Sequence, residues 1–324
     1  MPWREAMQQA LYGPGGFFVA GAGPAAHFRT SANSSGLFGT ALARLLTRLD
    51  RALGQPPRLD VVDVGAGRGE LLRHLADALG RPERCRFVGV ERASRPAELP
   101  PWIEWYAEPP EHVTGLLLAT EWLDNVPLEV AERGDDGAWR TVLVDPATGV
   151  EELAGAPGAS ELDWLTRWWP EGRRAEIGLT RDQAWAAAVG CLRRGVALAV
   201  DYGHLAGARP PEGTLTGYRD GRQVPPRLDG STDVTAHVAI DAVRAAGERV
   251  AGLPATLTDQ RSALRALGVD GTRPPLSLAS SDPRGYVRQL AAATLAAELT
   301  DPYGLGGHHW LLQPAGLSVE LVGI

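Results

Sequence analysis

Three groups of residues have the types and spacing to do chemistry. The first is the glycine-rich turn inside Leu59 to Leu72, LDVVDVGAGRGELL. Gly65, Gly67 and Gly69 follow a β-branched apolar run, and Leu71, Leu72, Leu75 and Leu79 then fall on one face of a helix that must begin at once. Glycines there remove the Cβ atoms that would hold the backbone away from a ligand. A dinucleotide loop needs G-x-G-x-x-G to seat a pyrophosphate on the helix N-terminus, whereas here the third glycine comes one residue early. The G-x-G-x-G spacing favours S-adenosylmethionine (SAM), which has no phosphate to cradle. Asp63, at the strand end, suits a ligand that carries an ammonium group. Glu91 closes the strand Arg86 to Glu91 about twenty residues beyond the loop, where an acid binds ribose hydroxyls. The competing reading is a Gly-rich βα turn with a surface glutamate.

The second group is Glu121 and Asp124, three residues apart just beyond the apolar strand Gly115 to Thr120. A helical turn would bring both carboxylates to one side. Such a pair can hold a guanidinium bidentately, with Glu121 spanning cofactor and acceptor and Asp124 positioning the acceptor. Alternatively, Glu121 serves the cofactor alone and Asp124 caps the helix. The third group is histidine. His204, in Asp201-Tyr202-Gly203-His204, titrates near neutral pH and could accept a proton, or be structural. His237 carries the same ambiguity, and Asp233 reads as a helix cap. His308-His309 lacks the spacing and nearby acids of a zinc motif, so no metal is assigned.

Positioning these groups takes strands interleaved with helices, which predicts a doubly wound α/β sheet carrying insertions. Buried strands are expected at 59–64, 86–91, 115–120 and 195–201, with a short one at 102–106 and a last one near Trp310 to Gln313. Helices are expected at 5–11, 36–53 and 181–193. One insertion, at about 130–176, should open with a hairpin across Gly134 to Gly137 and bury its tryptophans Trp164, Trp168 and Trp169 under a loop. A second, polar and Gly/Pro-rich, covers about 205–240. The segment from Tyr12 to Ser35 mixes glycines with Phe17, Phe18, His27 and Phe28, and predicts an ordered lid with glycine hinges. The expected division is therefore 1–55 for lid and first helix, and 56–324 for the ligand-binding domain.

Composition narrows the function classes. The chain has 324 residues, a formal charge of -7 and 22% charged residues, with no basic excess to attract nucleic acid. All 32 basic residues are arginine. That excludes the phosphate-binding, kinase and Schiff-base lysines together, and arginine cannot replace them as a base. Two cysteines exclude a disulfide framework. No apolar run approaches the ~20 residues needed to cross a bilayer, and MPWREAMQQA does not resemble a signal peptide, so the expectation is a cytoplasmic protein without membrane partners.

Taken in order, YGPGGFF with HFRTS, DVGAGRGEL, TEWLDNVPLEV, DYGH, and GTLTGYRDG with STDVTAHVAI resemble the MidA-type family of SAM-dependent methyltransferases, which includes mitochondrial complex I assembly-factor methyltransferases. The similarity spans nearly the whole chain. It implies a class I methyltransferase fold, SAM as cofactor, and methylation of an arginine in a protein or peptide partner. It also implies a cofactor set of Thr30, Ser31, Asp63, Gly65, Ala66, Gly67, Gly69, Glu91 and Glu121, and a catalytic set of Glu121, Asp124 and His204. Two departures stand out. Thr30-Ser31 is followed by Ala32-Asn33-Ser34 where the family has P-E-I-S, so a glutamate is missing, and the acidic motif begins with Thr120 where Asn or His is usual. The altered Ala32-Asn33-Ser34 loop keeps a small-molecule methyltransferase open as an alternative, and a non-catalytic SAM-binding assembly factor that holds a partner with the insertion and lid is another.

Overall fold

The computed structural model describes residues 1–20 and 36–317. Its seven-stranded central sheet contains, in chain order, β1 (Leu59–Val64), β2 (Cys85–Val90), β3 (Ile103–Tyr106), β4 (Val113–Thr120), β5 (Leu192–Asp201), β6 (Thr256–Asp259) and β7 (His309–Ala315). In space the order is β6-β7-β5-β4-β1-β2-β3. Strands β1 to β5 pair in parallel, whereas β7 lies antiparallel to both β5 and β6, so the sheet is mixed.

The strands read as near-continuous apolar runs because helices cover both faces. All six residues of β1 are buried. On one face Leu59, Val61, Leu116 and Leu118 pack with Phe38, Leu42 and Leu45 of helix Gly36–Ala52 and Leu72 and Leu75 of helix Glu70–Leu79. On the other, Val62, Val64, Leu117 and Ala119 meet Trp185 of helix Leu179–Gly190 and Val243 of helix Ile240–Ala251. The chain runs outward from β1 to β2 and β3, then returns to place β4 on the opposite side of β1. Loops leaving β1 and β4 therefore diverge at a topological switch point, where open α/β sheets bind ligands.

Between β4 and β5, residues 129–177 form a four-stranded antiparallel sheet, ordered Glu151–Leu153, Trp139–Val144, Glu129–Arg133, Arg174–Ile177. Its first hairpin closes across Gly134 to Gly137, as the sequence predicts. Trp164 and Trp169 are buried beside it and pack against each other at 6.4 Å. The polar stretch beyond β5 supplies a three-stranded sheet of Arg222–Val224, Thr216–Arg219 and Asp233–Thr235. Helix Trp3–Tyr12 bridges the two, with Met7 and Leu11 packed among Val130, Val142 and Val234.

The described part of the expected lid is fixed by packing. Phe17 is buried, and Phe18 stacks on Tyr12 at 5.5 Å. Gly13 and Gly16 allow a close approach there, since a Cβ on either would meet the backbone of Gln9 at 2.5 Å or Leu11 at 2.6 Å. Residues 21–35, including Thr30 and Ser31, lie outside the described residues. Among those described, no helix is long and apolar enough to cross a membrane.

Candidate active site

At the end of β1 the chain turns through Gly65, Gly67 and Gly69 with φ of 74°, 56° and 78°. All three lie in the left-handed region that only glycine adopts without strain. Their surroundings differ, which refines the sequence reading. A Cβ on Gly65 would strike Trp122 Cδ1 at 2.8 Å, and one on Gly69 would strike Leu99 Cδ1 at 2.6 Å, so those two glycines admit protein. Among the described residues nothing comes nearer to a Cβ on Gly67 than Glu70 Oε2 at 3.8 Å, which makes it the glycine of the three suited to a ligand's approach. Ala66 is buried beneath the loop.

Glu91, one residue past β2, faces the same loop. Its Oε2 accepts from Gly67 N at 3.1 Å and its Oε1 from Arg92 N at 2.7 Å. Burial raises its carboxyl above the usual range, and these backbone bonds oppose the rise. Asp63 shares the β1 face of Leu59 and Val61 and is buried. Burial, with Glu70 and Glu91 as like charges, pushes its carboxyl up to about 8. An open glycine flanked by two carboxylates, one of them raised by burial and by like charges among the described residues, fits the adenosyl and ammonium ends of SAM.

Beyond β4 lies a strained corner. Glu121 has φ 49°, a left-handed backbone unusual for a residue with a side chain. Its amide donates to Val200 O at 2.8 Å, and its Oε1 lies 4.0 Å from His308 Nδ1. The helical turn expected after it is a single 3-10 turn, Leu123–Asn125. Asp201, at the end of β5, is fully buried and holds that turn: its Oδ2 accepts from Leu123 N at 3.0 Å and Asp124 N at 3.3 Å. Asp124 does not cap a helix. Its Oδ2 accepts from the Tyr202 hydroxyl and from Thr235 Oγ1 at 2.8 Å, while its buried Oδ1 has no partner among the described residues. Burial raises the Asp124 and Asp201 carboxyls, and Asp124 and Glu121 push Asp201 up further.

Arg181 buttresses the same corner from helix Leu179–Gly190. Its side chain is buried and donates to the carbonyls of Val126, Ala236, His237 and Asp124, so its N–H groups are committed to backbone while its charge still opposes the rise of the Asp124 and Asp201 carboxyls. Asp233, expected as a helix cap, lies instead in a strand, where its Oδ1 accepts from Asn125 Nδ2 at 2.7 Å. Tyr12 joins the two halves of the site: its hydroxyl donates to Asn125 O at 3.3 Å, and Arg92 lies over its ring at 4.7 Å.

The histidines sort themselves by partner. His204 is buried, and Arg209 donates to its Nδ1 at 2.7 Å. An arginine can only donate, so the imidazole proton sits on Nε2 and no lone pair is free. Burial and Arg209 hold His204 down to about 3, and the arrangement makes it a neutral donor rather than the proton acceptor its position in the sequence suggested. His308, weighed in the sequence only as a metal ligand and set aside, lies against Glu121 and against the Tyr202 ring at 5.6 Å, pulled down to about 4 by burial. Asp201, Tyr202, Thr235 and Arg181 also escape sequence reasoning; the one signal for two of them is their place in DYGH. No group of His, Cys, Asp and Glu among the described residues could hold a metal ion.

The sheet order, the switch-point loops and the acidic corner define a class I methyltransferase fold. Residues 41–257 match the family model described as "Putative S-adenosyl-L-methionine-dependent methyltransferase", and the chain belongs to that family, with SAM as its cofactor. No curated protein matches the sequence. Among solved structures, it is similar to a COG1565 superfamily member from Burkholderia thailandensis bound to S-adenosylhomocysteine. That match has 24% identity, a TM-score of 0.78, and coverage of 98% of this chain and 88% of the other. A native COG1565 superfamily crystal structure from the same organism matches with 24% identity and a TM-score of 0.77, covering 100% of this chain and 90% of the other.

Proposed function

We propose that the enzyme methylates a side-chain nitrogen of arginine in a protein or peptide, with Asp124 and Glu121 as the acceptor-binding carboxylates. The observation that carries this reading is the half-satisfied Asp124: one oxygen anchored by Tyr202 and Thr235, the other buried without a described partner. A buried acceptor left open calls for a donor, and a guanidinium brings several in one plane. Glu121 stands at the same corner, and the N–H groups of the nearby Arg181 are committed to backbone carbonyls. The resemblance to MidA-type enzymes points the same way.

SAM, when bound, supplies a methyl group activated by the positive charge on sulfur. Gly67, Glu91 and Asp63 would hold it, with Thr30, Ser31, Gly65, Ala66, Gly69 and Glu121 completing the proposed contacts. The chain's own work is to fix the acceptor nitrogen in line, exclude water and take the proton that the nitrogen sheds. Asp124 suits the last task, because burial makes its carboxylate a stronger base than a solvated one. Tyr202 and Thr235 fix its orientation.

Incubation with methyl-labelled SAM and fractionated lysate, followed by acid hydrolysis of the protein pool, tests the reading. Label should appear as methylarginine. Label confined to small molecules, or to another amino acid, would refute it, and no turnover of SAM at all would leave the chain a binding protein.

A further inference from the structure

A separate cavity of about 360 Å³ opens beyond β5, lined by His204, Leu205, Ala208, Pro210, His237 and His309 among others. We infer that this cavity is a second acceptor subsite, which takes an uncharged aromatic or branched apolar side chain flanking the methylated residue. The inference rests on the proposed cationic acceptor and specifies what else that substrate must carry.

Continuity with the acidic corner comes first. The Tyr202 hydroxyl bonds to Asp124, and its ring meets His237 edge-on at 5.2 Å; His237 in turn lies 6.4 Å from His204. Tyr202 thus links Asp124, through its hydroxyl, to the cavity-lining His237, through its ring. At ~3.3–3.6 Å of extended chain per residue, a side chain one or two positions from the acceptor spans that link. Second, the walls offer no uncommitted charge. Arg209, the cation nearest His204, donates to His204 Nδ1, Trp168 O and Asp241 Oδ1. The Thr214 hydroxyl donates to Glu176 Oε2 at 2.9 Å and accepts from His237 N at 2.8 Å. All three lining imidazoles are held below the ordinary histidine range, chiefly by burial, and so are neutral at pH 7. Third, the neutral rings and the carbons of Leu205, Ala208 and Pro210 suit an apolar or aromatic group, which stacks edge or face on imidazole. No arginine lines the cavity among the described residues, so an acidic side chain would find no cation to pair with there.

The test uses the full-length enzyme and five-residue synthetic peptides with arginine at the centre, in which the residues on either side are Phe, Leu, Gly or Asp. Phe-flanked peptides should show KM about tenfold below Gly-flanked ones, as expected for burying one large apolar side chain. Ala208→Trp, which fills the cavity from an exposed position, should bring that ratio close to one, and Leu205→Asp should do the same by placing charge in the wall. In parallel, N-acetyl-phenylalaninamide is titrated by NMR into wild type and both variants, since this readout needs no methyl transfer. Probe binding that weakens in both variants, with no arginine peptide methylated, would uphold the subsite and refute the acceptor reading. Equal KM for Phe- and Gly-flanked peptides, or probe binding unchanged in both variants, would overturn the subsite while methylarginine formation left the acceptor reading intact. A thermal melt of each variant confirms that it is folded.

Discussion

Cofactor affinity should rise with pH because of Asp63. Burial and the like charges of Glu70 and Glu91 lift this carboxyl from its usual 3.8 to about 8, so the free enzyme holds it protonated at neutral pH. An ammonium group pairs with the carboxylate, so binding must release that proton, and apparent affinity follows the ionised fraction. With a pKa near 8 the penalty factor is about 100 at pH 6 and about 4 at pH 7.5, so binding should tighten about 25-fold across that window. At pH 7 about 0.9 proton should leave per ligand bound. Above pH ~7.7 the ligand's own α-amine begins to deprotonate, which sets the upper limit of the window. The sign for stability is opposite. A folded-state pKa above the unfolded one gives stability that is complete below about pH 4 and lost as pH rises through 8, at up to ~1.4 kcal/mol per unit. Calorimetric titration of S-adenosylhomocysteine in buffers of different ionisation enthalpy, with thermal melts of the ligand-free protein, measures both. Asp63→Asn should bind more weakly at pH 7.5 and lose the slope. A change of less than about threefold between pH 6 and 7.5, or an undiminished slope in Asp63→Asn, would refute the reasoning.

Gly67→Val puts a β-branched residue at φ 56° and a side chain where the described residues leave the loop open, so calorimetry should show SAM affinity falling at least tenfold, about 1.4 kcal/mol. Asp124→Asn should keep the fold and SAM affinity but lower single-turnover methylation by about 10²-fold or more, since orientation is what it supplies. Tyr202→Phe leaves Asp124 Oδ2 with Thr235 alone; its turnover should fall about tenfold or more, and its pH profile should shift where a merely structural lesion would only lower the melting point. Arg181→Met strips four carbonyls of a buried donor, and chemical denaturation should show a loss of roughly 3–5 kcal/mol.

What sequence could show was what lies close in sequence. The run from Leu59 to Leu79 is one βα unit whose apolar spacing and helix face are local, and its strand and helix stand as expected, whereas Gly65 and Gly69 make room for the distant Trp122 and Leu99 rather than for a ligand. β4 and β5 were legible for the same reason: a strand covered on both faces has no polar positions to blur it. Local reasoning went wrong where a residue's partner comes from far away. Asp233 looks like a helix cap because a helix follows it, yet its partner Asn125 is 108 residues earlier. His204 looks like a base until Arg209 occupies its lone pair.

The acidic corner is the extreme case. Asp124 receives Tyr202 from 78 residues away and Thr235 from 111, and the turn that carries it hangs on Asp201, 77 residues on. Each residue sits in a motif that could be read separately, but nothing in DYGH says that its tyrosine bonds to the aspartate of TEWLDN. Two long-range bonds hold one buried carboxylate and a third holds its backbone amide, at a cost in desolvation that a structural aspartate on the surface would never incur. Glu121 adds a strained backbone at the same corner. Buried charge and backbone strain both lower stability, and here they coincide at the C-terminal edge of β4 beside the switch point. A fold that needed only to be stable would place neither there, which is the physical reason to look for the acceptor nitrogen at this corner.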